Sequence, residues 1–234
     1  MTKHLYFYCL FLGILSLLSS CKTKSPVTYG EYNINRSLDI IDKEKPTSAT
    51  DLHDSVFVDI KDYSSKFLFD FRYATTNNFL KQKVYECEKC LLRYGTLKKL
   101  LAAQKDFEEL GYKVILFDCY RPHDVQKKMW AIFPNASYVA DPAKGSIHNR
   151  GGAIDLTLAN QKGEELDMGS AFDHFGEESH HAYDNLSFDV KQRRKTLKNI
   201  MEKHGLKGIA KEWWHYQDDV SPYHKISNFS WGCE

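Results

Sequence analysis

The chain has no excess of charge of either sign. Its 234 residues carry 32 Lys and Arg against 31 Asp and Glu, a formal charge of +1. Without a basic surplus nothing drives binding to nucleic acid, and no polybasic patch points to anionic lipid. The apolar stretch from Leu5 to Leu18 is 14 residues, short of the ~20 that a membrane-spanning helix needs. There is no internal repeat, no low-complexity tract, and no regular alternation of strand and helix that would signal a parallel sheet. A single Cys-x-x-Cys is present, Cys87-Glu88-Lys89-Cys90. No second pair and no His-x-x-x-His completes it as a zinc knuckle.

What is present begins with a leader. Lys3 and His4 precede the apolar stretch, which ends in Leu18-Ser19-Ser20-Cys21. A basic start, a short apolar run and small residues describe a secretory signal over residues 1–20. The cysteine after Leu-Ser-Ser resembles a bacterial lipobox, which makes Cys21 the expected lipidation site. Loss of residues 1–20 removes Lys3 and no acid, leaving 31 cations against 31 anions. Residues 21–54 are polar and irregular, with Pro26 and Pro46, and read as a tether. Residues 55–234 form the expected single domain. The expected protein is exported and lipid-anchored in the cell envelope, periplasmic or associated with the outer membrane. It touches the membrane through its N-terminal lipid only, and its partners are small molecules.

Cysteine usage fits export. Beyond Cys9 and Cys21 stand Cys87, Cys90, Cys119 and Cys233, and four cysteines in an oxidising compartment point to two disulfides. Of the three pairings, Cys90–Cys119 with Cys87–Cys233 is favoured, because Cys90 and Cys119 both flank expected strands.

Val56–Ile60 and Phe67–Phe71 read as strands. Thr96 is placed to cap a helix running to about Leu110, with Leu97, Leu100, Leu101 and Phe107 on one face and Gly111 as its stop. Lys113–Phe117 reads as a buried strand. Pro122 suits the first turn of a helix reaching about Phe133. Ala153–Leu158 alternates as a strand, Asp189 is placed to cap a basic helix ending at Gly205, and Glu212–Gln217 reads as a final strand. The class is α+β, a mainly antiparallel central sheet with flanking helices.

The chemistry gathers in two segments. Ser146-Ile147-His148-Asn149-Arg150-Gly151-Gly152-Ala153-Ile154-Asp155 and Glu212-Trp213-Trp214-His215 together offer two histidines, one aspartate and a spare glutamate. That is the ligand count of a catalytic zinc site with one place open for water, and a glutamate to accept a proton. Gly151 and Gly152 let the backbone turn so that His148 and Asp155 can converge. A lone histidine or strand aspartate is ordinarily structural, but a carboxylate in Ala-Ile-Asp-Leu-Thr-Leu needs a partner if buried. Glu212 and His215 stand three apart, which on an ideal strand faces them oppositely. Either Glu212 lies before the strand proper, at its entrance and facing the same cleft as His215, or the backbone bends there. Arg121, in Asp118-Cys119-Tyr120-Arg121-Pro122, sits at a strand end where it can reach a developing oxyanion, or equally form a structural ion pair.

The pattern Ser146-x-His148-x-x-Gly151-x-Ala153-x-Asp155 followed by Glu212-Trp213-Trp214-His215 resembles the VanX-type zinc D-alanyl-D-alanine dipeptidases, within the wider D-Ala-D-Ala metallopeptidase group. The likeness continues through Tyr73-Ala74-Thr75 with Asn78-Phe79, Tyr120-Arg121-Pro122, Met168-Gly169-Ser170 with Phe172-Asp173, Ser179-His180-His181-Ala182 and Arg193-Arg194. It spans about residues 67–217. The resemblance implies one Zn²⁺ per chain held by His148, Asp155 and His215, Glu212 as catalytic base, and Arg121 as stabiliser of the tetrahedral intermediate. It implies substrate contacts at Tyr73, Ser146 and Asp173, the last pairing with the free ammonium of a dipeptide. A family tyrosine expected after Asn78-Phe79 has no unambiguous match, since Tyr85 and Cys87 compete for it. The alternative is a D,D-carboxypeptidase or endopeptidase trimming peptidoglycan stem peptides with the same zinc chemistry.

Overall fold

The computed structural model describes residues 52–233. The expected leader, Cys21 and the tether up to residue 51 lie outside the described residues. Among the described residues no helix is long and apolar enough to cross a membrane. The Asp54 backbone oxygen accepts from Gly95 N at 3.0 Å.

Seven strands and three α-helices follow in the order β1 (Phe57–Asp59), β2 (Leu68–Phe69), β3 (Leu91–Arg93), α1 (Tyr94–Glu109), β4 (Lys113–Asp118), α2 (His123–Ile132), β5 (Ala153–Ala159), α3 (Phe188–Lys203), β6 (Leu206–Ile209) and β7 (Glu212–Asp218). The central sheet runs β2-β4-β5-β7-β6, and β1 pairs with β3 in a separate antiparallel ribbon. Only β2–β4 is parallel, so the α+β class with a mainly antiparallel sheet is what forms. The short β3 and β6 do not stand out in the sequence, being too brief to show a period.

Helix α1 buries Leu97, Leu100, Gln104 and Phe107, the three- and four-residue spacing of one helical face. Its N-cap is Arg93 rather than Thr96, and Arg93 supplies no side-chain cap. Thr96 lies inside the helix, where its hydroxyl donates to Asp218 Oδ2 at 3.2 Å. Gly111 ends the helix in left-handed backbone, φ +82°. Helix α3 is capped by Ser187, whose side chain accepts from Val190 N, and Asp189 falls in its first turn. The serine wins because its extended backbone places Oγ over the free amides.

On β5, Ile154, Leu156 and Leu158 are fully buried and alternate with Ala153, Asp155 and Thr157. The two-residue period sends the apolar set to one face and Asp155 to the other. The apolar face joins a core with Leu97, Leu100, Phe107, Leu197, Met201 and Leu206 from the helices and β6. The disulfides are Cys87–Cys233 and Cys90–Cys119, the pairing the flanking strands suggested.

Candidate metal centre and substrate cavity

The site starts from a row across three strands. Antiparallel register sets Asp155 of β5 opposite His215 of β7, and opposite Asp118 of β4 on its other side. The third histidine-or-aspartate donor, His148, comes from a 3₁₀ turn, His148–Arg150, that precedes β5. The chain returns from that turn into the strand through Gly151, at φ +74°. A side chain on Gly151 would strike the Phe57 ring, and one on Gly152 would overlap the Ser221 side chain. Both glycines are thus required for close approach as well as for the turn.

The spacing of Glu212 and His215 is resolved by a register shift. Gly208 pairs with Tyr216, but the next residue, Ile209, pairs with Glu212. Residues 213–215 are the surplus on β7, and the irregularity re-aims their side chains. Glu212, Trp214 and His215 therefore all line one cavity, with Glu212 Oε2 4.0 Å from His215 Nδ1. Glu212 is the first residue of β7, at the strand entrance.

The fit of this site to a metal follows from its donors. His148 Nδ1 lies 2.7 Å from the Cys119 carbonyl oxygen. A carbonyl can only accept, so Nδ1 carries the proton and Nε2 presents its lone pair. His215 Nε2 faces Gln217 Oε1 at 3.2 Å, which leaves Nδ1 to present the other lone pair. These two nitrogens are 3.2 Å apart, and Asp155 Oδ1 stands 3.0 Å from one and 3.4 Å from the other. Three lone-pair donors so close repel one another unless a cation sits among them. Donors ~2.0–2.1 Å from a tetrahedral zinc ion stand about 3.4 Å apart, so the triangle suits that ion. Among the described residues this is the group of three that could hold a metal, and all three are buried. Burial alone would raise the Asp155 carboxyl; positive charge at the two imidazole positions, which a bound cation would equally supply, holds it well below the ordinary range.

Arg121 is buried on the same cavity. Burial opposes its charge, but Asp118, together with Tyr85, Tyr73 and Asp155, more than offsets this and keeps it protonated. Asp118 Oδ2 accepts from Nε at 3.2 Å and from Nη2 at 2.7 Å, and Gln126 Oε1 accepts from Nη1 at 2.9 Å. Three of its five N–H donors are so committed. Glu212 has its carboxyl pKa raised by burial, with His215 pulling against that rise.

Asp173 lines the same cavity, a non-glycine residue in left-handed backbone at φ +59°. Such a conformation costs of order 1–3 kcal/mol and persists where the surroundings impose it. Both carboxylate oxygens accept from the Tyr73 hydroxyl at 3.1 Å. Burial and the neighbouring Asp155 charge push the Asp173 carboxyl well up. Ser146 lines the cavity, and its Oγ accepts from His148 N at 3.2 Å.

Tyr73, Arg121, Ser146, His148, Asp155, Asp173, Glu212 and His215 thus meet around one cavity of about 250 Å³. Neither Tyr85 nor Cys87 reaches it. The Tyr85 hydroxyl donates to Asp118 Oδ1 at 2.7 Å, and Cys87 is in a disulfide. Five further residues contribute, none of them assigned a role from the sequence. Asn149 ties the ligand turn to Arg121 O at 2.8 Å. Gln126 holds Arg121, and Phe79, Tyr138 and Phe175 form an aromatic wall. The aromatics carry no period, so only their convergence identifies them.

Residues 53–230 match the family described as D-ala-D-ala dipeptidase. A D-alanyl-D-alanine dipeptidase of Escherichia coli (strain K12) is 34% identical over 148 residues, 63% of this chain and 77% of that protein. One from Enterococcus faecium is 36% identical over 176 residues, 66% of this chain and 87% of that protein. A crystal structure of the vancomycin-resistance D,D-pentapeptidase VanY in complex with Zn(II) aligns at 15% identity over 55% of this chain and 73% of that one. Its TM-score is 0.36, too slight a likeness to carry an argument.

Proposed function

The chain belongs to the D-ala-D-ala dipeptidase family of zinc metallopeptidases, and on that footing we propose that it hydrolyses the free D-alanyl-D-alanine dipeptide to two D-alanines. The observation that carries this reading is Asp173, held by Tyr73 on the cavity that the triad also lines. A free ammonium there would supply the counter-charge that lets this buried carboxyl ionise, whereas an acylated N-terminus would leave it protonated and without the ion pair. The cavity, about 250 Å³, falls just below the ~300–1,000 Å³ of drug-sized sites, which suits a dipeptide.

His148, Asp155 and His215 would hold the zinc. Bound there, zinc supplies Lewis acidity, lowering the pKa of water towards ~7 and polarising the substrate carbonyl. Glu212 takes a proton from the attacking water and returns it to the leaving amine; its burial-raised pKa suits both halves of that task. Arg121, kept charged by Asp118, offers its uncommitted N–H donors to the oxyanion. Ser146 Oγ already accepts from His148 N, so its hydroxyl proton is available to the substrate.

The deciding experiment compares D-Ala-D-Ala with N-acetyl-D-Ala-D-Ala, each with and without chelator. Cleavage of the free dipeptide alone, abolished by chelation and restored by zinc, is expected. Comparable cleavage of the acetylated peptide would assign the site to a carboxypeptidase instead.

We also propose that the enzyme works outside the cytoplasm, anchored through lipid on Cys21. Support comes from the leader sequence and from two disulfides, which persist in oxidising compartments. Membrane fractionation of wild type and Cys21→Ala tests this; an unchanged distribution would refute the anchor.

A further inference from the structure

The two disulfides differ in their relation to the metal triad. Cys90–Cys119 joins residues 29 apart in sequence, both fully enclosed. Cys87–Cys233 joins residues 146 apart, and Cys233 is exposed. Only the first carries a group that touches a metal ligand: the Cys119 carbonyl, which accepts from His148 Nδ1 at 2.7 Å.

That carbonyl sits where the sheet no longer holds the chain. Register between β4 and β5 shifts between Leu116 and Asp118, and β4 ends at Asp118. Cys119 N is taken by Asp118 Oδ1 at 2.9 Å, so Cys119 has neither backbone group in a strand ladder. The residue across the disulfide is well anchored. Cys90 O accepts from Ile60 N at 3.0 Å, and its neighbour Leu91 O accepts from Tyr120 N at 3.0 Å. The Cys119–Tyr120 peptide that carries the carbonyl thus has one hydrogen bond to β3, through Tyr120 N, and the covalent bond adds a second tie at the base of that strand. From the same segment, Arg121 N donates to His148 O at 3.1 Å.

We propose that Cys90 and Cys119 are positioning residues for the metal site: their bond holds the Cys119 carbonyl against His148 Nδ1–H and thereby sets zinc affinity. The partner of a ligand histidine's second nitrogen fixes its tautomer and ring orientation, and its loss typically weakens metal binding 10- to 100-fold. The inference rests on the reading of His148, Asp155 and His215 as the zinc ligands.

The second disulfide is an internal control. A bridge stabilises mainly by constraining the unfolded chain, and more so for longer loops. On stability alone, loss of Cys87–Cys233 should matter more than loss of Cys90–Cys119. The proposal reverses that order for zinc. The test measures the zinc Kd by chelator competition, and the Tm of metal-free protein, for Cys90→Ala/Cys119→Ala, Cys87→Ala/Cys233→Ala and His148→Ala.

The expected result is a Kd raised about 10-fold or more by the first pair and unchanged by the second, whatever the Tm order. Equal zinc affinity in both pairs would overturn the proposal. So would failure of the first pair to fold together with failure of the volume-keeping Cys90→Val/Cys119→Ala, since the bridge would then be needed for folding itself. Stoichiometric zinc retained by His148→Ala would instead refute the ligand reading, a result distinguishable from either.

Discussion

Asp155 and His215 stand directly opposite each other across the β5–β7 ladder, with Asp155 Oδ1 3.0 Å from His215 Nδ1. Two members of the metal triad are therefore placed by backbone register, and the position of their donors is built in before any ion arrives. Asp118, across β5's other edge, extends the same row to Arg121.

Glu212→Gln keeps the shape and removes the basic oxygen. We expect zinc content to stay stoichiometric while kcat falls about 10²- to 10⁴-fold, the usual worth of a general base. Metal analysis and turnover on one preparation check both halves.

For Asp173→Asn, loss of the charge facing the substrate ammonium should cost about 2 kcal/mol, roughly 30-fold in kcat/KM on the free dipeptide. The acetylated dipeptide should lose much less, so the ratio of the two specificity constants is the quantity to measure.

Arg121→Lys retains a cation but cannot reproduce the forked contact with Asp118 or the bond to Gln126. A fall of about 10²- to 10³-fold in kcat is expected, as for loss of an oxyanion donor, with zinc affinity unchanged. Steady-state kinetics at saturating substrate would show it.

Helix α3 offers a test of the capping assignment. Ser187→Ala should cost about 1 kcal/mol by removing the bond to Val190 N. Asp189→Ala should cost only the ~0.3–1 kcal/mol of a first-turn charge at most. Denaturant unfolding of the two variants ranks them.

His181 supplies a pH dependence away from the metal. Burial, with Lys198 and Arg194 nearby, lowers its pKa to about 4, and its Nε2 is buried with no hydrogen-bond partner. The unfolded chain binds a proton here near pH 6.5 and the folded chain does not. The stabilisation is thus fully present above pH 6.5 and is lost as pH falls towards 4. The difference in Tm between wild type and His181→Gln should shift against the wild type over that window; a constant difference would contradict the assignment.

Much of the site was legible because chemistry-bearing residues cluster in short segments. Ser146 to Asp155 and Glu212 to His215 carry the donors and the base, and their residue types alone imply a metal centre. Helix α1 and strand β5 were legible through their apolar periods, β4 as a buried apolar run, α2 through Pro122, and α3 through its basic run closed by Gly205. The caps were misjudged at Thr96 and Asp189, because which of several nearby polar residues caps a helix depends on backbone angles at a single position.

The sequence by itself determined which donors exist, that Gly151 and Gly152 permit a turn between two of them, and that Ile154, Leu156 and Leu158 oppose Asp155 on their strand. These follow from local sterics and a two-residue period, which need no distant contact. Tertiary structure alone decided that His148, Asp155 and His215 converge, since register between strands 60 positions apart sets that distance. It also decided that the β6–β7 register shift turns Glu212 towards His215, and that Cys119 lends its carbonyl to His148. Each depends on pairing between segments remote in sequence, where long-range packing selects one register among several that the local pattern allows.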